Sequence, residues 1–311
     1  LYMLTGMALG ALLYGLTLPP LLRPLWDFWL DAAEPQYPSY LNYGSEPYRY
    51  QMGPHQVVGN LYPQAFAKGM YDGMREAGEE EILALVRCAW AGSQRYGALV
   101  WSGDIHCSFK SMRWQIVAGL QMGLAGIGWW TTDIGGFDWG NINDPAFREL
   151  IIRWFEWSVF SPVLRMHGDR QPRSLAAESG LTDYCGAPNE VWSYGEENYP
   201  IFVKYLSLRK AMLPYIRGLM RQFHEKGTPI MRPLFYHYAD DPTAWTISDS
   251  YLFGGDVLVA PIMKRAACAA GFICRAAAAG SNTRPARHTK ADSGSKRRRS
   301  WTKSRCLSAT A

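Results

Sequence analysis

The chain has 311 residues, of which 48% are apolar and 14% aromatic, and its formal net charge is +5. This length and composition can bury a substantial core and suit one large domain or two smaller ones. The six cysteines form no CxxC pair and no regular spacing, so they indicate neither a disulfide framework nor a zinc site. The pattern is compatible with a reducing, cytoplasmic compartment.

Residues 1–25 form an apolar segment that differs from the rest of the chain. The first 22 residues carry no charged side chain, and that length could cross a bilayer. Gly and Pro interrupt the segment, however, and it lacks the basic start and the small-residue cleavage site of a signal peptide. We therefore expect no membrane span. We interpret the segment as a disturbed or out-of-frame start, because regular patterning begins only at Trp26.

From Trp26 onward, short apolar runs that end on polar residues alternate with segments of helical periodicity. The predicted strands lie in residues 26–34, 82–90, 97–104, 126–136 and 161–169. The predicted helices lie in residues 61–77, 111–123 and 145–157. Alternating strands and helices predict a parallel sheet with helical crossovers. In a (β/α) barrel all the strands end on the face that carries the active site.

Each predicted strand ends on a side chain capable of chemistry, namely Asp31, Arg87, Asp104, Asp133 or His167. Asp31 and Asp104 follow different strands, so they can face each other across a bound substrate. Paired carboxylates across a cleft are what glycoside hydrolysis requires, and that reaction needs no metal or organic cofactor. The alternative is that Asp104 is only a turn residue or a helix cap, as Asp often is after Gly.

Four ordered blocks carry a resemblance to a known family: FWLDAAEP, RYGALVWSGDI, GLAGIGWWTTDIGGF and PVLRMHGDRQPR. Between about Phe28 and Met263 the chain resembles glycoside hydrolase family 31, the α-glucosidase and α-xylosidase family. The resemblance implies an α/β fold, an incomplete (β/α)8 TIM barrel with about strands 4 to 8, followed by the start of a β-sandwich. It also implies a retaining hydrolase that removes terminal α-linked glucose or xylose from oligosaccharides by a two-carboxylate double displacement.

The resemblance assigns roles to single residues. Asp31 corresponds to the nucleophile, and Asp104 corresponds to the general acid and base. The expected substrate-binding residues are Trp29, Arg87, Trp101, Asp133, Phe137 and His167. Trp29 and Trp101 could instead be ordinary core, and Asp133 could be a cap or an arginine partner. We expect Arg165 to orient a carboxylate and Glu34 to support Asp31.

The expected domain organisation follows from the resemblance and from composition. After residues 1–25, the barrel part spans 26–228 and the start of the β-sandwich spans 229–264. Within these, residues 188–227 predict a helix pair broken at Pro214, and residues 231–263 alternate like paired strands. Residues 265–311 contain eleven Lys or Arg against one Asp and lack periodicity, which predicts a basic, unstructured tail. We interpret this tail as a sequence read out of frame.

Three functional alternatives remain at this point. The first is the hydrolase, which we expect to lack barrel strands one to three and the β-domain before them, so that the truncated chain would fold poorly. The second is a non-catalytic carbohydrate-binding protein or inactive fragment of the same fold. The third, a nucleic-acid partner, rests on the basic tail alone, and we do not expect it. The sequence says nothing about the oligomeric state.

Overall fold

The computed structural model describes residues 27–31, 49–175, 184–265, 272–275 and 306–308. Its strands are β1 (Asp27–Leu30), β2 (Arg49–Tyr50), β3 (Gly53–Pro54), β4 (Leu83–Val86), β5 (Ala98–Trp101), β6 (Trp130–Thr131), β7 (Gly140–Asn141), β8 (Arg170–Gln171), β9 (Ser174–Leu175), β10 (Tyr184–Cys185), β11 (Met231–Pro233), β12 (Tyr251–Phe253), β13 (Val257–Val259), β14 (Phe272–Arg275) and β15 (Cys306–Ser308). Its α-helices are α1 (His55–Val58), α2 (Tyr62–Glu76), α3 (Phe109–Leu124), α4 (Pro145–Ser158), α5 (Tyr199–Lys226) and α6 (Pro242–Thr246). Short 3-10 helices lie at Gly59–Leu61, Ser93–Tyr96 and Leu234–Tyr236.

Four strands form a parallel sheet in the order β1–β4–β5–β6. In its register, Leu30 pairs with Val86, Val86 pairs with Val100, and Trp101 pairs with Thr131. Helix α2 lies between β1 and β4 in the chain, and α3 joins β5 to β6, as the crossovers of a parallel sheet require. Strand β5 is buried along its whole length, which is typical of a sheet covered on both faces.

The three predicted helices are confirmed as α2, α3 and α4, and local caps explain where two of them begin. The Ser108 side chain accepts a hydrogen bond from the Ser111 N–H at 3.0 Å and starts α3. The Asp144 side chain accepts one from the Ala146 N–H at 2.9 Å and starts α4, whose first residue is Pro145. Such caps satisfy backbone donors that have no partner inside the helix.

The core lies between this sheet and the helices α3 and α4. Its innermost side chains on the helices are Met112, Ile116, Ile151, Trp154 and Phe155, none of which is more than 1% exposed. Burial of each such side chain contributes about 1.5–3 kcal/mol. This packing holds the ends of the parallel strands in place.

The predicted fifth strand at residues 161–169 is wrong, because the structure has no strand there. A backbone hydrogen bond joins the segment to the sheet, in which the Val163 N–H donates to the Trp130 carbonyl at 3.2 Å. Pro162 has no N–H to donate, so it cannot continue a ladder. The segment therefore runs beside β6 as irregular chain and leads into β8.

The predicted break at Pro214 is also wrong, because α5 continues through it. Proline inside a helix costs about 3 kcal/mol. Helix α5 buries Phe202 and Tyr205 before the proline and Ile216, Leu219 and Phe223 after it. Their combined burial exceeds that cost, so tertiary packing keeps the helix continuous.

The last described strands form an antiparallel sheet in the order β11–β12–β13–β14–β15. The first three lie in residues 231–263, where paired strands are predicted. Strands β14 and β15 lie inside the predicted unstructured tail, so that prediction does not hold for them. Their pairing satisfies backbone groups that would otherwise be left open at the edge of β13. Apart from Arg265, the rest of the tail lies outside the described residues, as do residues 1–25.

Tyr251 on β12 joins this antiparallel sheet to the barrel part. Its hydroxyl donates to the Phe160 carbonyl at 2.7 Å and accepts from Trp157 Nε1 at 3.0 Å. Tyr251 is fully buried, so neither bond competes with water. Among the described helices, none is long and apolar enough to cross a membrane.

Candidate active site

The parallel strands bring four polar side chains to one edge of the sheet. Asp31 follows β1 directly, Arg87 follows β4 directly, and Asp133 comes two residues after β6. Asp104 comes three residues after β5, and Gly103 before it has a φ of +73°. Glycine adopts this left-handed conformation without steric cost, so the chain can turn between Trp101 and Asp104. The carboxyl edge of the sheet therefore carries these residues, as predicted for a barrel.

Arg87 joins the two predicted catalytic carboxylates. Its Nη1 lies 3.0 Å from Asp31 Oδ1, and its Nη2 lies 3.2 Å from Asp104 Oδ2. The side chains of Asp31 and Asp104 are 56% and 40% exposed, whereas that of Arg87 is 20% exposed. Because a guanidinium is a rigid planar fork, one cation holds acids from two different strands beside each other. Both acids remain accessible at the same opening.

The alternative interpretation of Asp104 as a helix cap is wrong. The helix that follows, α3, is capped by Ser108, four residues further along the chain. The Asp104 carboxylate instead contacts Arg87, which comes from a neighbouring strand. Asp104 therefore does not cap α3, and the turn at Gly103 places its carboxylate beside Arg87 at the shared edge.

Asp133 is a fully buried carboxylate paired with the partly buried Arg165. Its Oδ1 accepts a hydrogen bond from Arg165 Nη2, which confirms the prediction that Arg165 orients a carboxylate. Among the described residues, Asp133 Oδ2 has no hydrogen-bond partner. Burial raises the pKa of the Asp133 carboxyl to about 6, although Arg165 acts in the opposite direction. Burial lowers the pKa of Arg165, against the effect of Asp133, because desolvation disfavours the charged form of each partner.

Aromatic rings surround the Arg165 guanidinium and His167. The guanidinium carbon of Arg165 lies 5.4 Å from the ring centroid of Trp29 and 5.9 Å from that of Trp101. The ring of His167 lies 4.6 Å from Trp29 and 5.5 Å from Phe137, measured between centroids. Trp29 is 46% exposed, but Trp101 is only 2% exposed. Trp101 therefore supports Trp29 and Arg165 from beneath, and its contact with sugar stays a prediction.

The environment of His167 favours the neutral form of its imidazole, although Asp104 and Asp31 act in the opposite direction. Burial lowers the pKa of His167, and the positive charges of Arg165 and Arg170 lower it further. A neutral imidazole has one nitrogen that donates and one that accepts a hydrogen bond. His167 can therefore bind a hydroxyl group in either direction.

Arg170 organises the site, and our sequence interpretation did not include it. Its side chain is fully buried and donates to the carbonyls of Ile134 and Gly136, both at 2.8 Å, and of His167 at 3.2 Å. It also donates to the hydroxyl of Tyr194 at 3.2 Å. These bonds connect the loop after β6 to the segment that carries His167. The only sequence signal was a cation three residues after His167, which has no motif of its own.

Gly136 allows the loop after β6 to approach the residues that follow Asp104. Its φ is +87°, and a Cβ atom added to it would lie 2.8 Å from both the N and the Cα of Cys107. No real side chain fits at that distance from backbone. The next residue, Phe137, donates its N–H to the Ile105 carbonyl at 2.7 Å. The glycine thus lets Phe137 reach the site.

The structure brings all the predicted site residues to this edge, namely Trp29, Asp31, Arg87, Trp101, Asp104, Asp133, Phe137 and His167. Glu34, the predicted support for Asp31, lies outside the described residues. Within the described ranges, no group of three or more His, Cys, Asp or Glu side chains could hold a metal ion. The chemistry that the arrangement offers is that of two accessible carboxylates with cations and aromatic rings around them.

Comparison with known protein families decides which family this chain represents. Residues 24–219 match the TIM-barrel domain of the glycosyl hydrolases family 31, and residues 227–272 match the C-terminal domain of the same family. The chain belongs to glycosyl hydrolase family 31. Its fold is therefore the family TIM barrel, represented in part, with the following C-terminal domain.

Members of family 31 with known names or structures are similar to this chain. It is 66% identical over 146 residues, 47% of its length, to the uncharacterized family 31 glucosidase ORF2 of Pseudescherichia vulneris. It is 35% identical over 237 residues, 76% of its length, to the α-xylosidase of Saccharolobus solfataricus. A crystal structure of a family 31 α-xylosidase from a soil metagenome, complexed with xylose, matches 78% of the chain at 56% identity with a TM-score of 0.73. The chain covers 27%, 30% and 36% of these three proteins, respectively.

Proposed function

We propose that this protein is a retaining α-glycoside hydrolase that removes a terminal α-linked xylose or glucose from oligosaccharides. The observation that carries the proposal is the position of Arg87 between Asp31 and Asp104. Two carboxylates from different strands at one open edge are what a double displacement requires. The names of the family 31 relatives support both terminal sugars, since they include α-xylosidases and a glucosidase.

In the first step, a carboxylate oxygen of Asp31 attacks the anomeric carbon of the terminal sugar. The bond from that carbon to the glycosidic oxygen breaks, and the proton of the Asp104 carboxyl moves to the departing oxygen. The products are a glycosyl ester on Asp31 and a free alcohol, the rest of the oligosaccharide. The accessibility of both side chains supports this assignment, because each acid must contact the substrate.

In the second step, a water molecule attacks the anomeric carbon of the glycosyl ester. Asp104, now a carboxylate, takes a proton from the water, and the ester bond breaks to regenerate the Asp31 carboxylate. Arg87 stays in contact with Asp104 while Asp31 is esterified, so the base keeps its orientation. Two inversions at the anomeric carbon restore the α configuration.

The surrounding residues would bind the sugar that is transferred. Trp29 offers an exposed indole face, and His167 can donate and accept a hydrogen bond. Asp133 is fully buried, so its contact with a sugar hydroxyl stays a prediction. This set binds a neutral, hydroxyl-rich ring, and the reaction requires no cofactor or nucleic acid.

The test follows the first product by proton NMR with aryl α-xyloside and aryl α-glucoside substrates and the full protein. We expect the α anomer to form before the β anomer, and we expect no turnover after Asp31→Ala. Asp72→Ala is the matched control, because it removes an exposed carboxylate on helix α2, away from the site, and it should retain turnover. First formation of the β anomer, or full activity after Asp31→Ala, would contradict the proposal. Sugar binding without turnover of either substrate would favour the non-catalytic alternative.

A further inference from the structure

Trp139 is an exposed indole in a backbone conformation that tryptophan rarely adopts. Its side chain is 66% exposed, and its φ is +69°. In the described part of the chain, every other residue with such a positive φ is a glycine. A bulky residue persists in this conformation only where its surroundings enforce it, and such positions cluster at binding sites. Trp139 therefore needs an explanation beyond packing.

Backbone hydrogen bonds tie the two residues before Trp139 to two segments of the active site. On one side, the N–H groups of Phe137 and Asp138 donate to the Ile105 carbonyl at 2.7 and 3.1 Å. On the other side, the Asp169 N–H donates to the Phe137 carbonyl at 2.9 Å. Ile105 follows Asp104 directly, and Asp169 lies two residues after His167. Trp139 thus lies on the rim of the site, next to the segment that follows Asp104.

Arg173 holds the indole in place. The guanidinium carbon of Arg173 lies 5.5 Å from the ring centroid of Trp139, within the range of a cation–π contact. The guanidinium in turn binds both carboxylate oxygens of Asp169. The ring is thus held by a cation that is itself anchored to the site segment, while much of its surface stays open.

We propose that Trp139 is the platform for the sugar on the leaving-group side of the scissile bond. This inference rests on the proposed function, in which Asp104 gives its proton to the departing oxygen. The departing sugar must then lie on the Asp104 side of the bond, where the segment with Trp139 is attached. The ligand is a pyranose ring, because its C–H face stacks on an open indole and its hydroxyls can bind Arg173 or Asp169.

The test compares two substrates that differ only in the leaving group. One is a disaccharide with a terminal α-linked xylose or glucose, and the other is the matching α-glycosyl fluoride, which has no leaving sugar. In the full protein, Trp139→Gly removes the indole and suits the positive φ. We expect it to lower kcat/KM for the disaccharide about tenfold, the loss of one stacking contact. We expect kcat/KM for the fluoride to change by less than about twofold.

Two further variants separate stacking from structure. Trp139→Phe keeps an aromatic face and should retain most of the activity on the disaccharide. Trp114→Ala is the matched control, because Trp114 on helix α3 is also an exposed indole beside a cation. It is 59% exposed, and its ring centroid lies 4.7 Å from Lys110 Nζ. It should leave both substrates unaffected. Trp139→Asn, which also tolerates the left-handed conformation, repeats the truncation if the glycine variant is unstable.

Each outcome supports or overturns the inference. A selective loss on the disaccharide supports it. Equal losses on both substrates would show a structural role, and no loss on either would show that the leaving sugar does not contact Trp139; both overturn it while the proposed function stands. If the unaltered protein hydrolyses neither substrate, the proposed function fails and the inference fails with it.

Discussion

Replacing Arg170 by methionine tests how the site is held together. Methionine replaces the apolar stem of Arg170 but lacks its donors to the carbonyls of Ile134, Gly136 and His167. A buried polar group left without a partner costs about 1–3 kcal/mol. Three carbonyls without a donor lower the free energy of unfolding by about 3 kcal/mol or more. Part of this loss is offset, because the variant no longer buries a cation. We expect the free energy of unfolding, measured by urea denaturation of the full protein, to fall by about 3 kcal/mol.

Arg170→Met should also reduce activity more than its effect on stability explains. The carbonyl of His167 and the glycine before Phe137 both lose their anchor, and a displacement of about 1 Å in a site costs about a hundredfold in rate. We expect kcat/KM on an aryl α-glycoside to fall about a hundredfold at a temperature where the variant is folded.

Arg209→Met is the matched control for Arg170→Met. Arg209 donates to three carbonyls as well, those of Val159, Ser161 and Pro162, at 2.6–2.7 Å. These carbonyls follow helix α4, so their loss should lower stability similarly but reduce kcat/KM by less than about tenfold. If both variants lose activity equally, or if Arg170→Met loses less than about 1 kcal/mol, the organising role of Arg170 is refuted.

Two further predictions concern the loop after β6. The native Asp133 carboxyl keeps its proton up to a pKa of about 6, whereas the unfolded one loses it near the ordinary value of 3.8. The native state thus binds more protons between these values, and the contribution of Asp133 to the free energy of unfolding falls by about 3 kcal/mol as the pH rises through them. Asp133→Asn should remove this pH dependence in urea denaturation between pH 4 and pH 7, and an unchanged slope would contradict it. Gly136→Ala, whose Cβ would clash with Cys107 backbone, should lower stability by about 2 kcal/mol more than Gly78→Ala, which has a φ of +93° and open space; equal losses would show that the loop can move away.

The positions of the acids could be predicted from the sequence because they follow from strand order. Short apolar runs that end on Asp31, Arg87, Asp104 and Asp133 predict parallel strands, and parallel strands end at one edge. This prediction required no knowledge of side-chain contacts. The contact of Arg87 with both acids could not be predicted in the same way, because it depends on which strands are neighbours and on the direction of a long side chain.

Three features depended on tertiary structure and were mispredicted or missed. An apolar pattern like that of residues 161–169 occurs both in strands and in irregular chain, and only the backbone hydrogen bonds to β6 distinguish the two. Pro214 has a local cost that packing on both sides of it outweighs. Arg170 binds mostly backbone carbonyls, and such partners leave no pattern in a sequence.

Asp104→Ala, tested in the full protein with and without azide, addresses the central claim most directly. Without the acid, a disaccharide should lose nearly all turnover, whereas an activated aryl α-glycoside needs little protonation of its leaving group and should form the Asp31 ester much more readily.

Azide should then accelerate the second step by replacing the base-assisted water, and it should yield the α-glycosyl azide, because Asp31 still supplies the first inversion. Equal losses for all leaving groups, with no effect of azide, would contradict the account and remove Asp104 from the acid and base role.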